Sequence, residues 1–462
     1  MEKTHIFQKD ILKQYDIRGI VDKEINSIDA YFVGKSYGTL LQTKNKFSCV
    51  VGYDGRHTSK EYAEQVIKGL AETGIDVVNI GLAPTPMVYF GIHFLHKQAG
   101  MIITASHNPP EYNGFKMLTD EDPIFGDDIQ QLGVIAKNGT FAEGHGTAIN
   151  TSIKQDYIDF LISKLNKNNK KTLNIVFDPG NGAVASIIHE LVAKIPGKHK
   201  IICGEVDGDF PNHHPDPAVE KYMTMLKKEV VDGGFDLGIA FDGDGDRLGV
   251  VDSEGYLFFG DEIEIIFARD FLKDHPHEKV MNEVSASMIL YNDIKAHGGI
   301  PVIWKPGHSS QKAKMKSDGI KLAAETSCHI FFGENHNFDD APFAAMKLIN
   351  IVSNMDETLA DVRHTFPKTY ITKKVYIHCT NEEKMRIPVE IANRMKVAGR
   401  NVIDVEGARV DCADGWWLIR NSNTEPKMAV RCEALSPEGL EKCKAEVIEQ
   451  AKLSGFDLKF DE

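Results

Sequence analysis

The chain has 462 residues, too many for one ordinary core at roughly 150 residues per domain. It is 42% hydrophobic and 26% charged, as soluble globular proteins are, and carries a net charge of −14. That balance excludes a general affinity for nucleic acid or an anionic membrane, and no apolar run reaches membrane-spanning length, but a local basic pocket for an anionic substrate stays compatible with it.

The N-terminal stretch MEKTHIFQKDILKQYDIRG lacks the apolar core of a signal peptide. Seven scattered cysteines (49, 203, 328, 379, 412, 432 and 443) include no CxxC pair, so free thiols of a reducing cytoplasm are expected, with no zinc site. Short β-rich runs alternate with amphipathic helical stretches, the pattern of an α/β protein. Residues 47–52, 173–177 and 300–304 each read as a strand followed by a glycine turn and a helix. The turn glycines, Gly55, Gly180 and Gly307, are 125 and 127 residues apart, which predicts three copies of one α/β domain. After about residue 368 the texture changes. Residues 369–379, short segments within 400–420 around an Asp-Gly turn, and 428–434 read as strands, and 436–453 as a closing helix with Ser436 and Glu438 as capping candidates. The expected domains are 1–150, 151–256, 257–368 and a smaller α+β domain, 369–462.

Four loops carry chemistry. In Thr104-Ala105-Ser106-His107-Asn108-Pro109-Pro110 a serine follows an apolar strand and stands beside a histidine, placed as a nucleophile; Lys116 follows closely in Asn113-Gly114-Phe115-Lys116. No GxSxG elbow is present, which argues against an α/β hydrolase. In Phe241-Asp242-Gly243-Asp244-Gly245-Asp246-Arg247 a strand delivers three aspartates alternating with glycines. Carboxylates about 4 Å apart repel by roughly 4 kcal/mol per pair at an effective dielectric of 20, so the cluster calls for a cation, and hard oxygen ligands suit Mg²⁺ or Ca²⁺. An EF-hand would need Gly in place of Arg247 and Glu in place of Ser253. The loop Glu325-Thr326-Ser327-Cys328-His329 offers groups that bind hydroxyls, as a sugar requires, or is an ordinary polar loop. Arg420-Asn421-Ser422-Asn423-Thr424-Glu425-Pro426 reads as a phosphate loop, without a Walker pattern, or as a polar turn.

This order of motifs resembles the α-D-phosphohexomutase family over nearly the whole chain, from Tyr15-Asp16-Ile17-Arg18-Gly19 to the Arg420 loop. TASHNP, DGDGDR, the GDFPNHHPDP run at 208–217 and the RxSNT run are specific to that family, and FPNHHPDP with His329-Ile330-Phe331-Phe332 and Phe338-Asp339-Asp340 is most like its bacterial phosphomannomutase/phosphoglucomutase branch. The resemblance implies three related α/β domains of mixed sheet with flanking helices and a smaller α+β domain around a central cleft. It implies a phosphoryl group on Ser106, one Mg²⁺ held by Asp242, Asp244, Asp246 and a phosphoserine oxygen, and a reacting phosphate lined by Arg18, His107, Lys116 and Arg247. Glu325 and Ser327 would bind the sugar 3- and 4-hydroxyls with His329 near the reacting end, Tyr15 and His308 would also face the substrate, and Arg420, Ser422, Asn423 and Thr424 would hold the remote phosphate. The implied reaction interconverts hexose 1- and 6-phosphates of mannose or glucose through a hexose 1,6-bisphosphate. The implied partners are small-molecule sugar phosphates only, and the chain is expected to be a cytoplasmic monomer.

Three departures bear on the sugar. Ala324 and Cys328 stand where the family's sugar loop has glycines, and a Cβ at 328 strains a glycine-only backbone angle. Ser285 stands where this branch has a lysine, which would remove a cation from the sugar-binding neighbourhood. Gly307-His308-Ser309-Ser310-Gln311-Lys312 departs from the usual Gly-His-Ser-x-Ile-Lys. Competing readings are a phosphoglucosamine mutase, a haloacid-dehalogenase-type phosphatase with Asp242 as nucleophile, and a non-catalytic sugar-phosphate sensor.

Overall fold

A computed structural model describes residues 3–120, 122–373, 375–421 and 427–460. Its first three sheets repeat one topology. In the first, Ser48–Tyr53 lies between Asp76–Leu82 and Ala99–Ile103, parallel to both, and Tyr112–Thr119 returns antiparallel to Ala99–Ile103. In the second, Ile175–Asp178 lies between His199–Ile201 and Leu237–Phe241, with Leu248–Asp252 returning. In the third, Lys279–Glu283 lies between Ile300–Trp304 and Leu322–Ala324, with Ile330–Phe332 returning. A parallel pair needs a crossover, and helices supply it: Ser59–Glu72 and Thr85–Phe94, Ala185–Val192 and Thr224–Gly233, Met288–Ala296 and His308–Asp318.

The repeat is therefore real, but the glycine spacing that predicted it is out of phase. Gly55 and Gly180 follow the central strand of their sheets, whereas Gly307 follows the outer strand Ile300–Trp304. The true counterpart of those turns in the third sheet is residues 284–287, which contains no glycine. The second sheet also runs past the expected break at 256, because Leu257–Phe258 pairs with Leu248–Asp252.

The fourth sheet is antiparallel, in the order Tyr370–Ile371, Lys427–Ala434, Gly415–Asn421, Ala408–Asp411, Val402–Ile403, with Val375–His378 also on Lys427–Ala434. The single strand expected over 369–379 is thus two short ones. Helix Pro437–Leu453 is capped by Ser436, whose Oγ accepts from the Gly439 amide at 3.0 Å; Glu438 takes no part in that cap. Sequence reading missed the 17-residue helix Asn381–Val397, although its capping box of Thr380 and Glu383 is a legible start signal. Among the described residues no helix is long and apolar enough to cross a membrane.

The fourth unit grips the 284–287 turn of the third. Arg409 donates to the carbonyls of Val284 and Ala286 at 2.7 Å each, Arg431 to that of Ser285 at 2.9 Å, and Glu433 accepts from Ser287 Oγ at 2.5 Å and from Trp416 Nε1 at 2.6 Å. Ser285 is 1% exposed and belongs to this joint.

Candidate active site

The three repeats place their chemical loops equivalently. Ser106, Asp242 and Glu325 each follow the strand that precedes the antiparallel return, at its carboxyl end, where open α/β sheets receive ligands. Ser106 and Glu325 face one cavity of about 420 Å³, joined there by Arg247 from the aspartate loop and by Arg420 from the end of strand Gly415–Asn421. Lys13, Arg18, Lys116, Arg247 and Arg420 reach it against Asp16, Glu283 and Glu325, a cationic cleft in an anionic chain.

Ser106 is held at a left-handed φ of 51° and is 2% exposed. Its amide donates to Thr104 Oγ1 at 2.8 Å, and its hydroxyl lies 2.7 Å from Asp242 Oδ2 and 3.1 Å from His107 Nδ1. Arg56 fixes the loop from beneath. Its guanidinium donates to the carbonyls of Ser106 (2.8 Å), Asn108 (2.6 Å), Pro109 (2.7 Å) and Tyr112 (3.0 Å), and its Nε to Asp54 at 3.2 Å. Sequence reading treated Asp54-Gly55-Arg56 only as a turn; nothing local in the sequence says that this arginine points at carbonyls some fifty residues on.

In the aspartate loop, Asp242 Oδ1 accepts from the amides of Gly245, Asp246 and Arg247 at 2.9, 3.0 and 3.2 Å, so the loop curls around its first carboxylate. The two glycines are structural. A Cβ on Gly243 would stand 2.3 Å from the Ser106 carbonyl, and Gly245 has a φ of 81°. Asp242, Asp244 and Asp246 are 0, 0 and 1% exposed, with one oxygen of each within 4.8 Å of the others. Lys116 Nζ bridges Asp244 and Asp246 at 2.6 Å each, and Thr85 Oγ1 donates to Asp244 at 2.5 Å. Burial, then the charges of Asp244 and Asp246, push the Asp242 carboxyl well up. Burial opposes the charge on Lys116, but Asp244 and Asp246 outweigh it and raise its pKa. Among the described residues, Asp244 Oδ1 and Asp246 Oδ1 are buried and accept no hydrogen bond, the nearest approach to the latter being His329 Nδ1 at 3.5 Å. Two orphaned carboxylate oxygens in an all-oxygen set fit a small hard cation such as Mg²⁺.

Arg18 donates to Asn108 Oδ1 at 2.5 Å and to the Asp16 carboxylate. Arg247 donates from Nε to His329 Nε2 at 3.1 Å, with Asp216 3.5 Å from its Nη1. The other ring nitrogen of His329, Nδ1, lies 3.0 Å from Asp339 Oδ2 and 3.5 Å from Asp246 Oδ1; the network assigns the proton to Nδ1. Lys312 closes the other side of Asp339 at 2.5 Å. Burial, then Arg247, Arg18 and Lys116, pull His107 well below the usual imidazole range, so it is neutral. Burial and Lys312 do the same to His308.

On the facing wall, Glu325 is 3% exposed and accepts from the Gly307 amide; burial pushes its pKa up to about 7. Thr326 donates to Glu283, and Ser327, His308 and Tyr15 line the same side, with Tyr15 OH on the Pro306 carbonyl at 3.1 Å. Cys328 has a φ of 73°, the left-handed angle expected to strain a residue with a Cβ, and burial pushes its thiol up to about 12. Ser285, expected near the sugar, is not on the cleft wall; Glu283 and Thr326 are. Arg420 Nη1 donates to Glu406 at 3.1 Å, and its Nε is buried with no hydrogen-bond partner among the described residues. Ser422, Asn423 and Thr424 lie outside the described residues.

Asp242 has both oxygens engaged by its own loop and by Ser106, an arrangement that leaves it a supporting group and not the nucleophile of a dehalogenase-type phosphatase.

Three copies of one α/β unit, each sending a loop to a common cleft closed by a fourth domain, make the architecture of the α-D-phosphohexomutases. The chain belongs to the phosphoglucomutase/phosphomannomutase family: residues 9–143, 155–255 and 259–370 match its alpha/beta/alpha domains I, II and III, and residues 375–450 its C-terminal domain. It is 36% identical over 433 residues to a phosphomannomutase/phosphoglucomutase of Pseudomonas syringae pv. tomato (94% of this chain, 93% of the relative). It is 36% identical over 439 residues to a phosphoglucomutase of Neisseria gonorrhoeae (94% and 95%). The crystal structure of a phosphoglucomutase/phosphomannomutase family protein from Burkholderia thailandensis superposes with a TM-score of 0.91 at 30% identity, covering 97% of this chain and 98% of that one.

Proposed function

We propose that this hexose-phosphate mutase transfers a phosphoryl group from Ser106 to one end of a hexose monophosphate and takes another back from the opposite end. The observation that carries this reading is the Ser106 hydroxyl, buried at the cleft floor 2.7 Å from Asp242 and 3.1 Å from a neutral His107. In the first half-reaction the sugar hydroxyl forms a new O–P bond as the Ser106 Oγ–P bond breaks. The hydroxyl's proton passes to the neutral His107, which hands one on to Ser106 Oγ as the Oγ–P bond breaks, so that the imidazole ends the half-reaction neutral again. The resulting hexose 1,6-bisphosphate turns over, and the same steps run in reverse on its other phosphate.

Phosphoryl transfer asks for positioning and charge neutralisation more than covalent chemistry. Arg18 and Arg247 would hold the transferring group. Asp242, Asp244, Asp246 and a phosphoserine oxygen would hold Mg²⁺, which supplies positive charge to the phosphoryl oxygens. Asp339 and Arg247 orient His329 at the reacting end. Arg420, with Ser422, Asn423 and Thr424, would hold the remote phosphate. Glu325 and Ser327 would take the sugar 3- and 4-hydroxyls, with Tyr15 and His308 alongside. Nothing named is committed to the 2-hydroxyl, the only difference between glucose and mannose, so both epimers are substrates. A site that bonded the 2-hydroxyl would reject one epimer by leaving buried polar groups unpaired.

We also infer four domains, 1–150, 151–258, 259–368 and 369–462, one per sheet, in a cytoplasmic protein with free thiols. We infer that it works as a monomer; the described residues of one chain already bring all four sheets' loops to the cleft. Coupled assays with glucose 1-phosphate and mannose 1-phosphate test the substrate reading: kcat/KM values within about tenfold, roughly 1.4 kcal/mol, are expected. A thousandfold discrimination, or a preference for glucosamine phosphate, would contradict it.

A further inference from the structure

The turn Asp178-Pro179-Gly180-Asn181-Gly182 carries a cluster that the mutase chemistry does not use. Asp178, Cys203 and His213 each present one ligand atom, and the three atoms lie within 4.8 Å of one another. Asp178 is fully buried, the His213 ring is 8% exposed, and Cys203 is half-buried.

The cluster has the construction of a cation site. His213 Nδ1 donates to the His214 carbonyl at 3.0 Å, which fixes the ring and aims Nε2 inward, 2.9 Å from Asp178 Oδ2. Metal-binding histidines are oriented by such a bond from their other nitrogen. Asp178 is oriented likewise, because its Oδ1 accepts from the Gly180 amide at 3.0 Å and leaves Oδ2 for the cluster. The Cys203 carbonyl accepts from the Asn181 amide at 3.0 Å, which ties the thiol's segment to the same turn. Ligands of a tetrahedral zinc centre stand about 3.4–3.8 Å apart, so the His213–Asp178 pair must open by only about half an ångström. A reactive thiolate is the weaker reading: burial pushes the Cys203 thiol up, and the Asp178 charge adds to it against the pull of His213.

We propose that Asp178, Cys203 and His213 form a second metal site, for a divalent cation of zinc-like softness, with water as the fourth ligand. A thiolate, an imidazole and one carboxylate favour such a cation over Mg²⁺, which takes the all-oxygen set of Asp242, Asp244 and Asp246. Ligation releases the proton of Cys203 Sγ and the one held between His213 Nε2 and Asp178. The bound ion ties the 179–182 turn to the 203–213 segment, and residues just beyond each of them reach the aspartate loop. The Ala183 amide donates to the Gly243 carbonyl at 2.8 Å, and Asp216 pairs with Arg247.

Cobalt(II) is the probe. Metal-stripped protein is titrated with Co²⁺ in saturating Mg²⁺, and the near-ultraviolet thiolate-to-cobalt charge-transfer band is followed. The wild type should gain the band at one equivalent; Cys203→Ser should lose it, and Cys412→Ser should keep it. His213→Ala should weaken Co²⁺ binding by at least about tenfold. No band in the wild type, a band that survives Cys203→Ser, or unchanged affinity in His213→Ala would overturn the proposal. The wild-type titration stands even if a variant fails to fold, and the band reads the site independently of turnover.

Discussion

The Ser106 hydroxyl donates to Asp242 at 2.7 Å, although the two residues are 136 apart in the chain and stand on different sheets. The contact joins the serine loop to the aspartate loop, with the Ser106 carbonyl packed where any side chain on Gly243 would stand. The serine loop of the first unit is therefore held in part by the second. Replacing Ser106 by Ala removes the relay oxygen, and turnover in a coupled assay should fall by at least about 10²-fold. A variant that keeps more than half of the wild-type kcat would sink the phosphoserine mechanism.

The aspartate cluster makes two linked predictions. Excess chelator should abolish turnover, and Mg²⁺ should restore it. Without Mg²⁺, Lys116 is the charge that bridges Asp244 and Asp246. Lys116→Met should then leave buried carboxylates uncompensated and cost about 3–5 kcal/mol in chemical denaturation, part of which added Mg²⁺ recovers. Undiminished activity in chelator would assign the loop another role.

Glu325 sets a pH dependence. Its carboxyl is raised from 4.5 to about 7, burial being the chief cause. The folded protein therefore holds a proton that the unfolded chain gives up between those values. The stability contributed by the neutral form is complete below pH 4.5 and is lost as pH rises through 7. Against Glu325→Gln, which keeps an acceptor for the Gly307 amide, the wild type should lose on the order of 3 kcal/mol between pH 4.5 and 7.5. Parallel denaturation curves at the two pH values measure this; a constant gap between the proteins would contradict it.

Arg420 is expected to read phosphate and not sugar. Its guanidinium lines the cleft, with a buried Nε that has no hydrogen-bond partner among the described residues. Arg420→Ala should raise KM for glucose and mannose phosphates by at least about tenfold and by similar factors. A marked change in preference between the two sugars would show that Arg420 senses the hydroxyls instead.

What the sequence made legible was contiguous. The serine and aspartate loops were readable because their residues sit side by side in short motifs, and Cys328 because a substituted glycine implied the left-handed angle it shows. The partners that tune those motifs were not readable. Arg56 beneath the serine loop, Asp216 on Arg247, and Asp339 and Lys312 behind His329 come from segments joined only by folding. Regular spacing also misled. Gly307 keeps the interval of Gly55 and Gly180 but follows a different strand, because the three units differ in loop length. Ser285 lies in the joint with Arg431 because its turn, the counterpart of the 54–56 turn, docks the fourth unit. The 178, 203 and 213 spacing fits no zinc pattern; only the packing of that turn against the 203–213 segment brings the three ligand atoms together.

Phosphorylation of Ser106 is best tested by brief incubation with hexose 1,6-bisphosphate carrying radiolabelled phosphate, followed by hydrolysis and peptide mapping. The label should be recovered as phosphoserine at residue 106, and a chase with unlabelled hexose monophosphate should remove it as fast as the enzyme turns over. Label on Asp242, or continued turnover with no label on the protein, would contradict the mechanism.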